Sequence, residues 1–363
     1  MGNLFAACAP GLETLLTAEL MELGLLKTRL ILGPPAEPGG VAFEGDDSAL
    51  YRANRRLRLA ERVLVRFEPF PAGDFAALAR GAARVPWARY LAPGRPIAVR
   101  VETRASKLYH EKAVAERVAE GASAPLVAYE EDAPAQLVYA RLDKDVCALS
   151  IDASGAPLHR RGWRYATGKA PLRETLAAAL LRASAWDKTS PLLDPFCGSG
   201  TIAIEAALMA RGVPAGAKRT FACQAWPSFD GKADDEAVTA SSPRILASDR
   251  DAGVVESARA NAARAGVEDA VEFAVKSVSA VEPPPGPGWV VTNPPYGVRV
   301  SEGKDLRDLY AGMGKVLRAK CGGWRVSLLT SEPQLALNAG LRLEPGLSTL
   351  NGGLPVRVWS GRA

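Results

Sequence analysis

Two short stretches of this 363-residue chain carry side chains whose types and spacing could do chemistry. The first is Asn293-Pro294-Pro295-Tyr296. The Asn293 amide oxygen and the Pro294 carbonyl are acceptors, and the Tyr296 ring offers a flat apolar face. Such a set can hold an amine by its two N–H hydrogens while a planar group lies on the ring. It contains no histidine or cysteine, so nucleophilic or proton-relay chemistry is not what it offers. The second stretch is Asp194-Pro195-Phe196-Cys197-Gly198-Ser199-Gly200-Thr201, an acid followed by a glycine-rich turn. Gly198 and Gly200 let the backbone take positive φ and approach a ligand closely. The helix that begins at Thr201 presents unsatisfied N–H groups there. Cys197 reads as a packing residue of this turn, not a nucleophile.

Both stretches need a scaffold, and the flanking residues supply one. The β-branched run Val290-Val291-Thr292 predicts a buried parallel strand, which the two prolines end sharply. Leu192-Leu193 predicts a second strand, and a helix over 201–210 follows. Both motifs then stand at the carboxyl ends of strands, where open α/β sheets bind ligands. No Lys-Ser/Thr follows Gly200, so the turn is not a phosphate-cradling loop. A third strand is predicted over 244–249, with a helix over 252–265. Asp249 at its tip suits a pair of ribose hydroxyls, with Arg250 and Asp251 beside it; capping of the helix by Asp249 or Asp251 is the other reading. A strand over 271–276, a helix over 305–317, a strand over 324–330 and a hairpin over 348–360 complete a doubly wound α/β sheet.

The whole chain sets wider bounds. Its length suits two or three domains. The net charge of +5 and pI near 8.9 are mildly basic and favour a nucleic-acid partner only weakly. Five dispersed cysteines and two histidines, His110 and His159, have no zinc-ligand spacing, so no metal is expected. Free thiols suit a reducing, cytoplasmic setting. No basic segment precedes an apolar run at the amino terminus, and no run approaches ~18 apolar residues, so neither a signal peptide nor a membrane span is expected. A monomer is expected.

The amino-terminal half alternates strands and helices. A strand over 3–8, a helix over 12–23 and a strand over 41–44 form an α+β start. Residues 51–67 hold Arg52, Arg55, Arg56, Arg58, Arg62 and Arg66 against one acid, Glu61. They read as a solvated helix face running into a strand, or as a surface that meets phosphate. A strand over 97–102, a helix over 111–119 and a hairpin of 137–142 with 146–152 follow. Residues 153–173 read as a connector punctuated by glycine and proline. It carries Arg160, Arg161, Arg164, Lys169 and Arg173 with His159, Trp163 and Tyr165, a mixture that can pair with phosphate and stack on bases. An interdomain linker is the alternative. Residues 212–242 carry no expectation.

Asn293–Tyr296 resembles the catalytic motif of S-adenosylmethionine-dependent methyltransferases that act on nitrogen, and Asp194–Thr201 resembles their first motif. The alternation over 42–154 resembles a THUMP domain, and Leu158-His159-Arg160-Arg161-Gly162-Trp163-Arg164 resembles the joint that follows it. Together these features resemble the THUMP-containing guanine-N2 RNA methyltransferases, especially those acting on large-subunit ribosomal RNA. The resemblance implies a ferredoxin-like module over 1–50, a THUMP-like RNA-binding domain over 51–154, and a Rossmann-like methyltransferase domain over 155–363. It implies S-adenosylmethionine held by Asp194, Pro195, Gly198, Ser199, Gly200, Thr201, Asp249 and Ser277. Glu174 and Thr175 begin a helix expected to close over the methionine end. Asn293 and the Pro294 carbonyl would hold the guanine amine, and Tyr296 would stack on the base through its ring, with no need of its hydroxyl. The RNA partner would be 23S ribosomal RNA. Transfer RNA, adenine-N6 of DNA, and a non-catalytic RNA-binding module are the alternatives; the intact motifs oppose the last. Two positions depart from the family pattern. Ser277 stands where an acid holds the adenine amino group, and Val298 stands where an acid follows the catalytic motif.

Overall fold

The computed structural model describes residues 2–26, 36–130, 134–164, 172–232, 238–239, 242–297 and 306–363. The chain forms two units, one of Met1–Cys8, Leu16–Leu158 and Arg219–Asp235, the other of Ala9–Leu15, His159–Lys218 and Glu236–Ala363.

The first unit is built on one sheet. Its strands are β1 (Gly2–Ala7), β2 (Ala36–Glu37), β3 (Gly40–Gly45), β4 (Arg62–Arg66), β5 (Phe70–Pro71), β6 (Ile97–Arg104), β7 (Gln136–Asp143) and β8 (Val146–Asp152), in the order β2-β3-β1-β4-β8-β7-β6 with β5 beside β8. The expected hairpin is β7–β8, closed by Lys144 and Asp145, both at positive φ as a two-residue hairpin turn demands. Strand β6 lies parallel to β7 at the sheet's end. The helices are α1 (Glu13–Glu22), α2 (Asp47–Arg56), α3 (Phe75–Ala82) and α4 (Glu111–Ala122). Asp46 caps α2 and Asp74 caps α3 through side-chain bonds to the third N–H. The expected domain boundary at 50/51 falls inside this unit, because β4 pairs with β1 on one side and β8 on the other.

Most of the arginines over 51–67 are not a phosphate surface. Arg56, Arg58 and Arg62 are buried. Arg62 donates to Asp152 at 2.6 Å, to the Gly155 carbonyl and to the Tyr129 hydroxyl. Arg66 lies over the Phe5 ring and donates to Glu37. A run of cations read as solvated is largely consumed inside the fold.

The second unit holds β9 (Leu192–Asp194), β10 (Ile245–Asp249), β11 (Val271–Val275), β12 (Trp289–Thr292), β13 (Arg325–Thr330), β14 (Arg342–Asn351) and β15 (Leu354–Arg362). Their order is β11-β10-β9-β12-β13-β15-β14. The first five are parallel, and the last two add an antiparallel hairpin. Helices α5 (Glu174–Ala183), α6 (Thr201–Ala210), α7 (Ala252–Ala265), α8 (Arg307–Lys320) and α9 (Pro333–Asn338) complete it. This is the doubly wound α/β sheet expected. The chain leaves β9 on one side for β10 and β11, then crosses to β12 and β13 on the other. The switch point therefore lies between β9 and β12, at the two strands that end in the candidate motifs. The start expected for α8 at Asp305 lies outside the described residues, as do Tyr165, Gly168, Lys169, Pro171 and Val298.

Residues 219–232 return to the first unit although they lie deep in the expected third domain. The Arg219 guanidinium donates to the carbonyls of Ser154, Ala156 and Pro157. Trp226 donates Nε1–H to Gln136 Oε1 at 2.8 Å and packs edge-on against Tyr90. Phe221 and Phe229 both pack on Tyr51. No described helix is long and apolar enough to cross a membrane.

Candidate active site

Asp194 ends β9 fully buried. Its Oδ1 accepts from Thr292 Oγ1 at 2.7 Å and from the Phe196 N–H, which ties the tip of β9 to the tip of β12. Its Oδ2 is buried with no partner among the described residues. Burial pushes this carboxyl up to about 7, and the nearby Asp249 charge adds to the rise, while Thr292 and the Phe196 N–H oppose it. A buried acceptor in this state fits a cationic, N–H-bearing ligand group such as an amino-acid ammonium.

The turn after Asp194 is closed by Gly200 N–H to the Cys197 carbonyl. The two glycines play different parts. Gly200, at φ +87°, would place a Cβ 3.0 Å from Ala258 Cβ, 3.2 Å from Ile204 and 3.3 Å from Phe273. A side chain there would meet α7 and β11, so packing alone already requires glycine at this position. Gly198, at φ +50°, has open space where a Cβ would stand, so it is the glycine that leaves room for a ligand. The Gly198 N–H donates to Asp249 Oδ2 at 3.2 Å, joining the turn to the tip of β10. Asp251, not Asp249, caps α7. That leaves Asp249 in the position expected of a ribose-binding acid. Ser277 follows β11 beside this tip, exposed, its hydroxyl paired with Ser279. Burial raises the Cys197 thiol, and Asp194 and Asp249 raise it further, so it is no nucleophile.

The basic joint braces this turn from within the second unit. Arg161 is 1% exposed and forms an ion pair with Glu205 on α6, itself fully buried. Arg164 pairs with Glu174 at 3.1 Å and donates to the Leu172 carbonyl and to Thr201 Oγ1. The Trp163 carbonyl accepts from Arg264, which donates to Asn261, which donates to the Ser199 carbonyl. Trp163 is buried and cannot stack on a base. The expected docking of RNA by Arg161, Trp163 and Arg164 is thus overturned: Arg161 and Arg164 are committed to acids on α6 and α5, and the Trp163 ring is buried. Glu174, expected at the methionine end of the cofactor, is held by Arg164, and both it and Thr175 are buried. Burial raises the Glu174 carboxyl against the pull of Arg164.

Asn293 stands directly beyond β12. Its Oδ1 is buried and has no hydrogen-bond partner among the described residues. An amide oxygen left so costs about 1–3 kcal/mol, so a donor is the natural complement. Pro294 beside it is buried. The Tyr296 ring is buried and its hydroxyl accepts from Asn351 Nδ2 at 2.9 Å. Tyr310 donates to the Pro295 carbonyl, and the Gly297 N–H donates to Glu332. Thr292, Asn261, Asn351, Tyr310 and Glu332 were not legible as site residues. Of these, only Thr292 carries a sequence signal, being the last residue before the motif on a strand that must lie beside β9.

A doubly wound sheet with an acid-and-glycine turn at its switch point, and an amine-holding motif on the adjoining strand, defines a methyltransferase of the S-adenosylmethionine-dependent class. Comparison with known proteins agrees. Residues 161–344 match the RMKL-like methyltransferase domain, so the chain belongs to that family, and residues 3–64 match the RlmL ferredoxin-like domain. Three solved structures are similar over nearly the whole chain. SMU.472 complexed with SAH is 28% identical with a TM-score of 0.83, covering 100% of this chain and 98% of that one. A protein from Listeria monocytogenes str. 4b F2365, named as a predicted N6-adenine-specific DNA methylase, is 32% identical with a TM-score of 0.80, covering 99% and 95%. TrmN from Thermus thermophilus is 25% identical with a TM-score of 0.73, covering 99% of each chain.

Proposed function

We propose that the protein methylates the exocyclic N2 of guanine in RNA, with 23S ribosomal RNA as substrate. The reading rests on one conjunction: an unpartnered buried acceptor, Asn293 Oδ1, in a chain that also carries an RlmL-type ferredoxin-like domain. In this reading residues 51–154 act as a THUMP-like RNA-binding region.

The chain's residues account for the chemistry as follows. S-adenosylmethionine, when bound, supplies an electrophilic methyl group. Asp194 Oδ2 suits its ammonium, Asp249 its ribose hydroxyls, and Gly198 leaves it room. An exocyclic amine is a weak nucleophile because its lone pair is delocalised into the ring. Asn293 Oδ1 and the Pro294 carbonyl accept its two N–H hydrogens and orient the nitrogen; fixed orientation supplies much of the rate. Tyr296, the aromatic next to the amine-holding pair, lines the pocket for the extruded base. The nitrogen's proton leaves to solvent after transfer, so no strong base is required.

Adenine-N6 methylation of DNA is a second reading, favoured by the name of the Listeria protein. The two are separated by methylating ribosomal RNA, transfer RNA and DNA from cells lacking the protein. Nucleosides are then resolved by mass spectrometry. N2-methylguanosine in 23S RNA is the expected product. N6-methyladenine, or methylation confined to transfer RNA, would replace the reading.

A further inference from the structure

A groove of about 400 Å³ lies in the first unit, outside the methyl-transfer site, along the outer edge of β6 and the start of α4. Val99, Val101 and Ala115 form its apolar lining, with Arg100, Glu102, Glu111, Lys112 and Tyr139 around them. The edge itself is polar. The Ile97 N–H and C=O point outward, bonding Pro125 and Val127. The period of two along a strand turns the backbone groups of Val99 and Val101 the same way. Beyond β6 no further strand is present among the described residues. The groove therefore offers an apolar face, backbone donors and acceptors, two cations and two carboxylates. Two cations against two carboxylates leave the groove without net charge, which suits a single phosphate and not a run of them. A nucleotide matches the set: a planar base with N–H donors, a ribose hydroxyl and one phosphate.

A stacking platform lies next to it in the chain. Tyr109 is 64% exposed, and its ring centroid is 4.2 Å from that of His110, the residue before Glu111. The loop that presents the pair is fixed. The Lys107 N–H donates to Asp145 Oδ1 at 2.7 Å, the Asp145 N–H to Ser106 Oγ, and Ser106 Oγ to the Arg104 carbonyl. Ala105 is held at φ +48°, a strain that surrounding structure must over-determine. An aromatic this exposed, on a loop this well tied, is placed for a ligand.

We propose that this groove is a second nucleotide site, which holds an unpaired nucleotide of the RNA substrate. The base lies against Val99, Val101 and Ala115, its phosphate meets Arg100 and Lys112, and a neighbouring base stacks on Tyr109. The proposal rests on the RNA reading given above. The test is fluorescence anisotropy of the full chain with a fluorescein-labelled single-stranded RNA 12-mer, at several salt concentrations. Tyr109→Ala weakens binding roughly 5- to 150-fold, the loss of about one stacked base. Tyr109→Phe stays within about twofold of wild type. Arg100→Gln with Lys112→Gln lowers the salt slope by about 0.7, one single-strand phosphate contact. All three variants keep wild-type affinity for S-adenosylhomocysteine, which shows the fold intact. Wild-type RNA affinity in Tyr109→Ala and an unchanged slope in the double variant would overturn the second site and leave the RNA reading standing. Failure of the wild-type chain to bind any RNA would remove both.

Discussion

Among the described residues Asn293 and Asp194 each have a buried oxygen without a partner, and the roles proposed for them follow from that deficit. Asn293→Ala removes an acceptor that acts on the oriented amine. Single-turnover transfer should fall about 10²–10³-fold, with affinity for S-adenosylhomocysteine nearly unchanged. Tyr296 is more than a ring. Its hydroxyl accepts from Asn351, a bond that the expectation of a ring acting alone did not include. Asn351→Ala and Tyr296→Phe should both raise KM for RNA, and they should do so to the same extent, since they break the same bond. Asp194 predicts a pH dependence. Its carboxyl is raised to about 7 without ligand, and an ammonium favours the ionised form. Cofactor affinity should therefore rise with pH by up to about tenfold per unit below 7 and level off above it. The same group destabilises the ligand-free fold as pH rises from the ordinary carboxyl range towards 7, because the folded state then holds the extra proton. Calorimetry with S-adenosylhomocysteine from pH 5.5 to 8.5 reads the first effect, and Asp194→Asn should flatten the curve.

The elements explain which of these roles the sequence could reveal. Strands β9, β10 and β12 were legible because each is a short apolar run ended by glycine, proline or an acid. The expected positions of Asp194, Asp249 and Asn293 at strand tips are those the fold has, and the parts proposed for them rest on those positions. The glycine turn was legible as a turn, but not which glycine is packed and which is open, because that depends on α7 and β11 packing behind it. Gly200→Val should lower the melting temperature, driving a side chain into Ala258, Ile204 and Phe273. Gly198→Val should keep more stability and lose cofactor binding. Thermal melts with and without S-adenosylhomocysteine separate the two. Arg161 and Arg164 were misread because sequence shows charge and not burial, and the partner of Arg161 lies 44 residues away on α6. Arg161→Ala strands Glu205 in the core, and such losses cost about 3–5 kcal/mol. Denaturant unfolding should show that loss, and the salt dependence of RNA binding should not change.

At the scale of the molecule, one sheet joins the expected ferredoxin-like and THUMP-like regions, and a segment of the catalytic half completes that unit. Residues 219–232 were opaque in the sequence, being irregular and aromatic without a period. Arg219, Phe221, Trp226 and Phe229 acquire meaning only through Ser154, Tyr51, Gln136 and Tyr90. Trp226→Ala should destabilise the first unit by about 3–5 kcal/mol, the usual loss for a buried aromatic, while the methyltransferase unit keeps its cofactor affinity. The central claim concerns the product. Purified wild-type and Asn293→Ala proteins are given labelled S-adenosylmethionine and unmodified 23S ribosomal RNA under single-turnover conditions, and the digested nucleosides are separated. N2-methylguanosine as the labelled product, with its rate down about 10²–10³-fold in the variant, is the predicted result. Label in N6-methyladenine, or equal rates for the two proteins, would contradict it.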